Sequence, residues 1–148
     1  MWRADLADVV RVAQAAMQHP WTYNQFAEEL LYTKGVCLVA VADTVCGYAV
    51  FRLVGPEAEL LQLAVEPEAR RNGIGSFLLE YGIRNIRVTG ADACFLEVRK
   101  KNRPARQFYS RFGFVEVGRR RKYYRQPVDD AVIMEMRMSR GEVDADNT

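Results

Sequence analysis

A strand-like run, a glycine turn and an amphipathic helix follow one another between Glu59 and Ile86, which commits the chain to a fold in which a strand feeds directly into a helix. The run is Glu59-Leu60-Leu61-Gln62-Leu63-Ala64-Val65, and Pro67 ends it by removing a backbone donor and fixing φ. The turn is Arg70-Arg71-Asn72-Gly73-Ile74-Gly75, followed by Ser76. Phe77, Leu78, Tyr81 and Ile86 then recur near helical spacing, with Ile74 one turn earlier, so both glycines sit at a helix start. A helix start offers unpaired N–H groups and the positive end of a dipole, and glycine lets an anion approach the backbone closely. Arg70 and Arg71 add charge suited to phosphate oxygens. Glycine spacing alone is equally that of a plain turn beside a solvated basic cluster. Two common phosphate loops are excluded: Leu78 stands where a Rossmann fingerprint needs a small residue, and no Gly-Lys-Ser/Thr triplet exists.

The remaining elements fall around this unit. Met1-Trp2-Arg3 is expected to be a short first strand; Leu6, Val9, Val10, Ala13 and Met17 then recur at helical spacing, with Asp5 as N-cap and His19-Pro20 as stop. Thr22 with Gln25 reads as a capping box for a second helix through Phe26, Leu30 and Leu31. Val36 to Ala42 and Val45 to Leu53 are β-rich runs around Asp43-Thr44, an expected hairpin. After the glycine-turn helix, Cys94 to Val98 is a short strand, implying a parallel crossover. Asn102 caps a short helix carrying Ala105, Phe108, Tyr109 and Phe112, and Gly113 stops it. Phe114 to about Tyr124 and Val132 to Met138 are two final strands, and the polar tail 141–148 is expected to be disordered. The expected order is β-α-α-β-β-β-α-β-α-β-β, a single α/β domain over residues 1–140.

With 148 residues, 49% of them hydrophobic, the chain suffices for one compact core. The absence of a membrane-length apolar run or a signal-like start suggests a soluble, cytoplasmic protein. Cys37, Cys46 and Cys94 lie in strand-like runs and read as buried free thiols. Eleven of the 21 basic residues fall between Arg99 and Arg125, a stretch whose one acid is Glu116. No recognisable nucleic-acid module accompanies them, so direct nucleic-acid binding is not expected, and a solvated face that also meets an anionic cofactor is the economical reading.

The Arg-x-x-Gly-x-Gly turn between strand and helix resembles the acetyl-CoA-binding signature of the GNAT family of N-acetyltransferases, and the element order is similar to theirs over almost the whole chain. This implies a mixed central sheet of six to seven strands flanked by about four helices. Further segments resemble one subgroup, the bacterial ribosomal-protein-alanine N-acetyltransferases: His19-Pro20-Trp21-Thr22; Leu96-Glu97-Val98-Arg99 followed by Asn102, Tyr109 and Gly113-Phe114; Arg120-Arg121-Lys122-Tyr123-Tyr124; and Asp129 to Met134. The resemblance implies acetyl-CoA as co-substrate and no metal, with Glu97 as proton acceptor and Tyr109 as proton donor. It implies that Leu63, Ala64 and Val65 pair with the pantetheine through their backbone, and that Arg70, Arg71, Asn72, Gly73, Gly75, Ser76 and Asn102 hold the rest of the cofactor. Tyr123 and Tyr124 would line the acceptor channel, and the acceptor would be a protein N-terminus, that of a ribosomal protein. Lys122 departs from the subgroup's neutral residue. On composition alone, Glu97 is equally a surface acid, Tyr109 a core aromatic, Ala64 part of a fully paired strand, Asn102 a plain N-cap, and Tyr123 and Tyr124 strand aromatics.

Direct acetyl transfer requires a neutral amine, and both α-amines (pKa near ~8) and lysines (near ~10.4) are mostly protonated at neutral pH, so a base helps. Cysteine- or serine-based acyl transfer lacks a base, since the single histidine, His19, sits in a helix-terminating His-Pro; zinc-ligand spacing is missing. Two other readings remain at this point: a lysine or small-amine acetyltransferase, and a non-catalytic acyl-CoA-binding, ribosome-associated module.

Overall fold

The structure, a computed structural model, describes residues 1–138; the polar tail expected to be disordered lies outside them. Its elements are α1 (Leu6–Ala16), α2 (Tyr23–Leu31), β1 (Gly35–Val41), β2 (Val45–Val54), β3 (Glu57–Val65), α3 (Ile74–Val88), β4 (Ala93–Arg99), α4 (Arg103–Phe112), β5 (Val115–Arg125) and β6 (Val128–Arg137). The strands form one six-stranded sheet in the order β1-β2-β3-β4-β6-β5. Only β3 and β4 pair in parallel, joined by α3 as the crossover requires.

Helices cover both sheet faces. On one, Phe51, Ala58, Leu60, Cys94, Leu96 and Val98 pack with Leu78, Leu79, Ile83 and Ile86 of α3, and α4 adds Ala105, Phe108, Tyr109 and Phe112. On the other, Tyr48, Val50 and Ala64 pack with Leu6, Val9, Val12 and Ala13 of α1 and Phe26 of α2. The period of two along each strand makes this possible, because neighbouring residues serve different helix layers.

Local chemistry sets the helix ends. Thr22 Oγ1 accepts from Gln25 N–H while Gln25 Oε1 accepts from Thr22 N–H, the reciprocal box expected. Asn102 Oδ1 accepts from Ala105 N–H, and Gly113, at φ 122°, closes α4. The amino terminus departs from expectation. No strand forms at Met1-Trp2-Arg3: Arg3–Asp5 make a 3-10 turn, and Asp5 accepts from Trp2 N–H instead of capping α1. That carboxylate closes the turn locally, which leaves the segment no reason to extend. Helix α1 also ends at Ala16, before His19-Pro20, with Met17 already extended. Val12, rather than Val10, completes its buried stripe.

Candidate active site

The parallel ladder between β3 and β4 is short. It holds Glu57 opposite Ala93, Ala58 opposite Cys94 and Glu59 opposite Phe95, and then stops. Both strands continue, β3 to Val65 held by β2 and β4 to Arg99 held by β6. An opening therefore forms inside the sheet, flanked by Leu63, Ala64 and Val65 on one side and by Leu96 to Arg99 on the other. Backbone groups of β3 that face it have no strand partner, so an amide-bearing chain can pair with them as an added strand would.

The glycine turn closes one end of this opening. Gly73 is the N-cap of α3 at φ 76°, without a side chain capping the helix, so first-turn N–H groups point outward unpaired. Arg71 shares the left-handed region at φ 71°, which curls the turn around those groups. A Cβ on Gly75 would meet Phe108 Cζ at 3.7 Å and Val65 Cγ2 at 3.8 Å, both ordinary contacts. Internal packing thus gives no reason for glycine there. Close approach of a bound group gives one, so the residues present fit a pyrophosphate seated on the helix start. Arg71 and Ser76 are exposed; Arg70 Nε donates to Val65 C=O at 3.2 Å, and Asn72 Nδ2 to Ala69 C=O at 3.3 Å. Asn102 spends its Oδ1 on the α4 cap and keeps its amide N–H free for a ligand.

Glu97 and Tyr109 lie on opposite faces of the sheet. Cys94, Leu96 and Val98 belong to the α3–α4 side, so alternation sends Glu97 to the α1–α2 side. Its Oε1 lies 3.3 Å from Arg120 Nε. Tyr124 stands near it: burial, then the Glu97 charge, raises the Tyr124 phenol. Arg99 lies over the Tyr124 ring at 4.2 Å and Arg120 over the Tyr123 ring at 5.6 Å, while the two tyrosines meet edge to face at 5.2 Å. Sequence reasoning thus named Glu97, Tyr123 and Tyr124, which gather here, and missed Arg120 as the partner of Glu97. Arg120 opens the Arg120–Tyr124 segment that carries part of the resemblance, but nothing in that segment says which carboxylate it faces, since in an alternating strand any exposed arginine looks alike.

Tyr109 packs edge to face against Phe108 at 5.3 Å and Phe114 at 5.7 Å. Its hydroxyl makes no hydrogen bond to a described residue. Burial, and to a lesser degree Cys94, pushes it up to about 12, so it holds its proton at any physiological pH. Cys46 and Cys94 are buried free thiols, as expected, while Cys37 is half-buried. No helix of the described residues is long and apolar enough to cross a membrane.

A split sheet with a helix N-terminus at its mouth defines a class, and comparison with known proteins gives it a name. Residues 6–114 match the family model described as the acetyltransferase (GNAT) family, to which the chain belongs. It is therefore an N-acetyltransferase that takes its acetyl group from acetyl-CoA. Among individual proteins, it is 33% identical over 141 residues to the ribosomal protein bS18-alanine N-acetyltransferase of Salmonella typhimurium, covering 91% of this chain and 93% of that one. The crystal structure of the corresponding ribosomal-protein-alanine N-acetyltransferase from Escherichia coli superposes with TM-score 0.86 at 30% identity, over 94% of this chain and 91% of that one. Ard1 from Thermoplasma volcanium superposes with TM-score 0.87 at 28% identity, over 94% and 95%.

Proposed function

We propose that this chain acetylates the N-terminal α-amine of a protein, and that its acceptor is the alanine terminus of a ribosomal protein of the bS18 type. The observation that carries the proposal is the opening between β3 and β4, with the Glu97 carboxylate on one face and the protonated Tyr109 phenol on the other. The relatives named for ribosomal-protein alanine support the choice of acceptor.

Acetyl-CoA supplies a thioester whose carbonyl carbon can accept an amine and whose sulfur can leave as a thiolate. In this reading, the β3 backbone groups that face the opening, at Leu63 and Val65 on either side of Ala64, hold the donor's amide-bearing arm, and Gly73, Gly75 and the exposed Arg71 and Ser76 hold its phosphates. Glu97 takes the proton from the arriving ammonium, directly or through water, and leaves a neutral nucleophile. Tyr109 Oη then gives its proton to the departing sulfur. Tyr123 and Tyr124 flank the path of the acceptor. An α-ammonium has a reference pKa about 2.4 units below that of lysine, which makes the neutral form easier to reach by about 3 kcal/mol. A single carboxylate therefore suffices for an N-terminus where a lysine would need more assistance. The lysine, small-amine and non-catalytic readings are not favoured by the named relatives.

The test is mass spectrometry after incubation with acetyl-CoA and peptides that differ at their first residue, beside lysine and polyamine controls. Acetylation of the alanine-initiated peptide at its α-amine is expected; acetylation of lysine alone would overturn the proposal.

A further inference from the structure

Glu59 has no role in the reading above, yet it shares the sheet face of Glu97. It stands opposite Phe95 in the parallel ladder, so Glu97 is its diagonal neighbour one pleat further along β4, within reach of two long side chains. Across β2 its register partner is Arg52. That arginine is already taken: its guanidinium pairs with Glu29 of α2 and lies over the Tyr32 ring at 4.9 Å. Arg99 is likewise engaged, donating to Pro127 C=O at 2.8 Å and Gln126 C=O at 3.3 Å.

The charges facing this spot come from every surrounding element: Glu29 from α2, Arg52 from β2, Glu97 and Arg99 from β4, Arg120 from β5 beside the Tyr123 and Tyr124 phenols, and Asp129 from β6. Asp129 is occupied by the N–H groups of Lys101 and Asp130. Within the strip Glu29, Arg52, Glu59, Glu97 and Arg120, three carboxylates meet two guanidiniums. Arg99, two residues further along β4, is a third cation nearby, but its guanidinium bonds the Gln126 and Pro127 carbonyls and none of these carboxylates. Burial, then the neighbouring Glu97 charge, raises the Glu59 carboxyl against the pull of Arg52 and Arg120. Arg120 leaves 57% of its side chain in solvent, and an ion pair so exposed is weak and readily exchanged.

We propose that Glu59 and Glu97 together form the seat of the acceptor's α-ammonium, and that Arg120 is a resident counter-ion which the ammonium displaces from Glu97. This rests on the N-terminal acetyltransferase reading. An ammonium carries three donors, enough to bond both carboxylates at once and still pass one proton to Glu97. Glu59 holds the cation, and Arg120 keeps Glu97 in place between turnovers. Such a pair would favour a cationic terminus over an uncharged amide end of similar size.

The experiment measures kcat and KM against pH with an alanine-initiated peptide for the wild type, Glu59→Gln, Glu59→Asp and Arg120→Gln. Glu59→Gln should raise the peptide KM about tenfold, the scale of one charge-assisted hydrogen bond, and leave the acetyl-CoA KM unchanged. Its acidic limb should move to lower pH, because Glu97 loses a like charge; Glu59→Asp should keep the limb of the wild type. In Arg120→Gln the limb should move to higher pH, because Glu97 loses an opposite charge, and the peptide KM should fall. Opposite shifts are something a purely structural role for either residue does not produce. An unmoved limb in Arg120→Gln, shifts of the same sign, or an unchanged peptide KM in Glu59→Gln would overturn the proposal. A wild type that ignores N-terminal peptides would instead sink the functional reading on which it rests.

Discussion

Burial holds the Tyr109 proton up to about 12, while a free thiol titrates near ~8.5, so the phenol is always loaded but is a weaker acid than the thiol it would form. Its usefulness depends on the thiolate being fresh and poorly solvated, a condition that the surrounding Phe108 and Phe114 rings favour. Tyr109→Phe should therefore lower kcat by about 10²–10⁴-fold and leave acetyl-CoA affinity unchanged, as read by steady-state kinetics and calorimetry. Glu97→Gln should do the same. Unchanged rates in both would remove the assigned roles. Asp129 offers a test at the same scale without catalysis. Burial opposes its charge, but N–H groups of Lys101 and Asp130 with the Lys101 and Arg99 charges outweigh it and lower the carboxyl below its usual range. A lowered folded value means that the stabilisation is complete above the unfolded value near ~3.9 and is lost as pH falls through the folded one. Asp129→Asn should thus melt earlier at neutral pH and show a flatter acid dependence in thermal denaturation. Of these residues, Glu97 and Tyr109 were legible through their surrounding motifs. Asp129 and Arg120 lay within matching segments but without a role there, and Glu59 in none, because the importance of all three comes from partners on other strands.

Gly82 illustrates how tightly the helix layer meets the sheet. A Cβ built there would collide with the edge of the Phe51 ring, so the centre of α3 sits as close to β2 as glycine allows. Gly82→Ala should destabilise the fold by about 1–3 kcal/mol in chemical denaturation, although alanine is the better helix former. The reverse sign would mean that the ring can move aside. Most elements were readable from such local pattern: the period-two runs of β1, β2 and β6, the Thr22–Gln25 box, and the Asn102 and Gly113 limits of α4. The exceptions arise where a tertiary or local partner overrides propensity. Met1-Trp2-Arg3 has strand-like composition but is drawn into a turn by Asp5, and Met17 is already extended beyond α1, packed against the cluster that holds Tyr48. The opening between β3 and β4 was legible only through the resemblance, which implied backbone pairing of Leu63 to Val65 with the cofactor, since nothing in Leu60 to Val65 itself differs from a fully paired strand.

For the molecule as a whole, a ligand that fits only the folded opening should raise stability by mass action. At a hundredfold excess over Kd the gain is about 2.7 kcal/mol, worth roughly 5–10 °C in Tm for a domain of this size. Calorimetry with acetyl-CoA and with free CoA checks this, and a Tm indifferent to both would argue against the β3 site. The split sheet has one more consequence. Half of it, β1 to β3, is joined to the other half, β4 to β6, by three ladder pairs and the arch of α3. Amide protons of β3 that face β2 should exchange slowly with deuterium at all times, whereas those turned to the gap should exchange quickly in the free protein and become protected once a guest strand lies beside them. The backbone of Leu61 to Val65 would then record occupancy one amide at a time, in a protein that need never turn over.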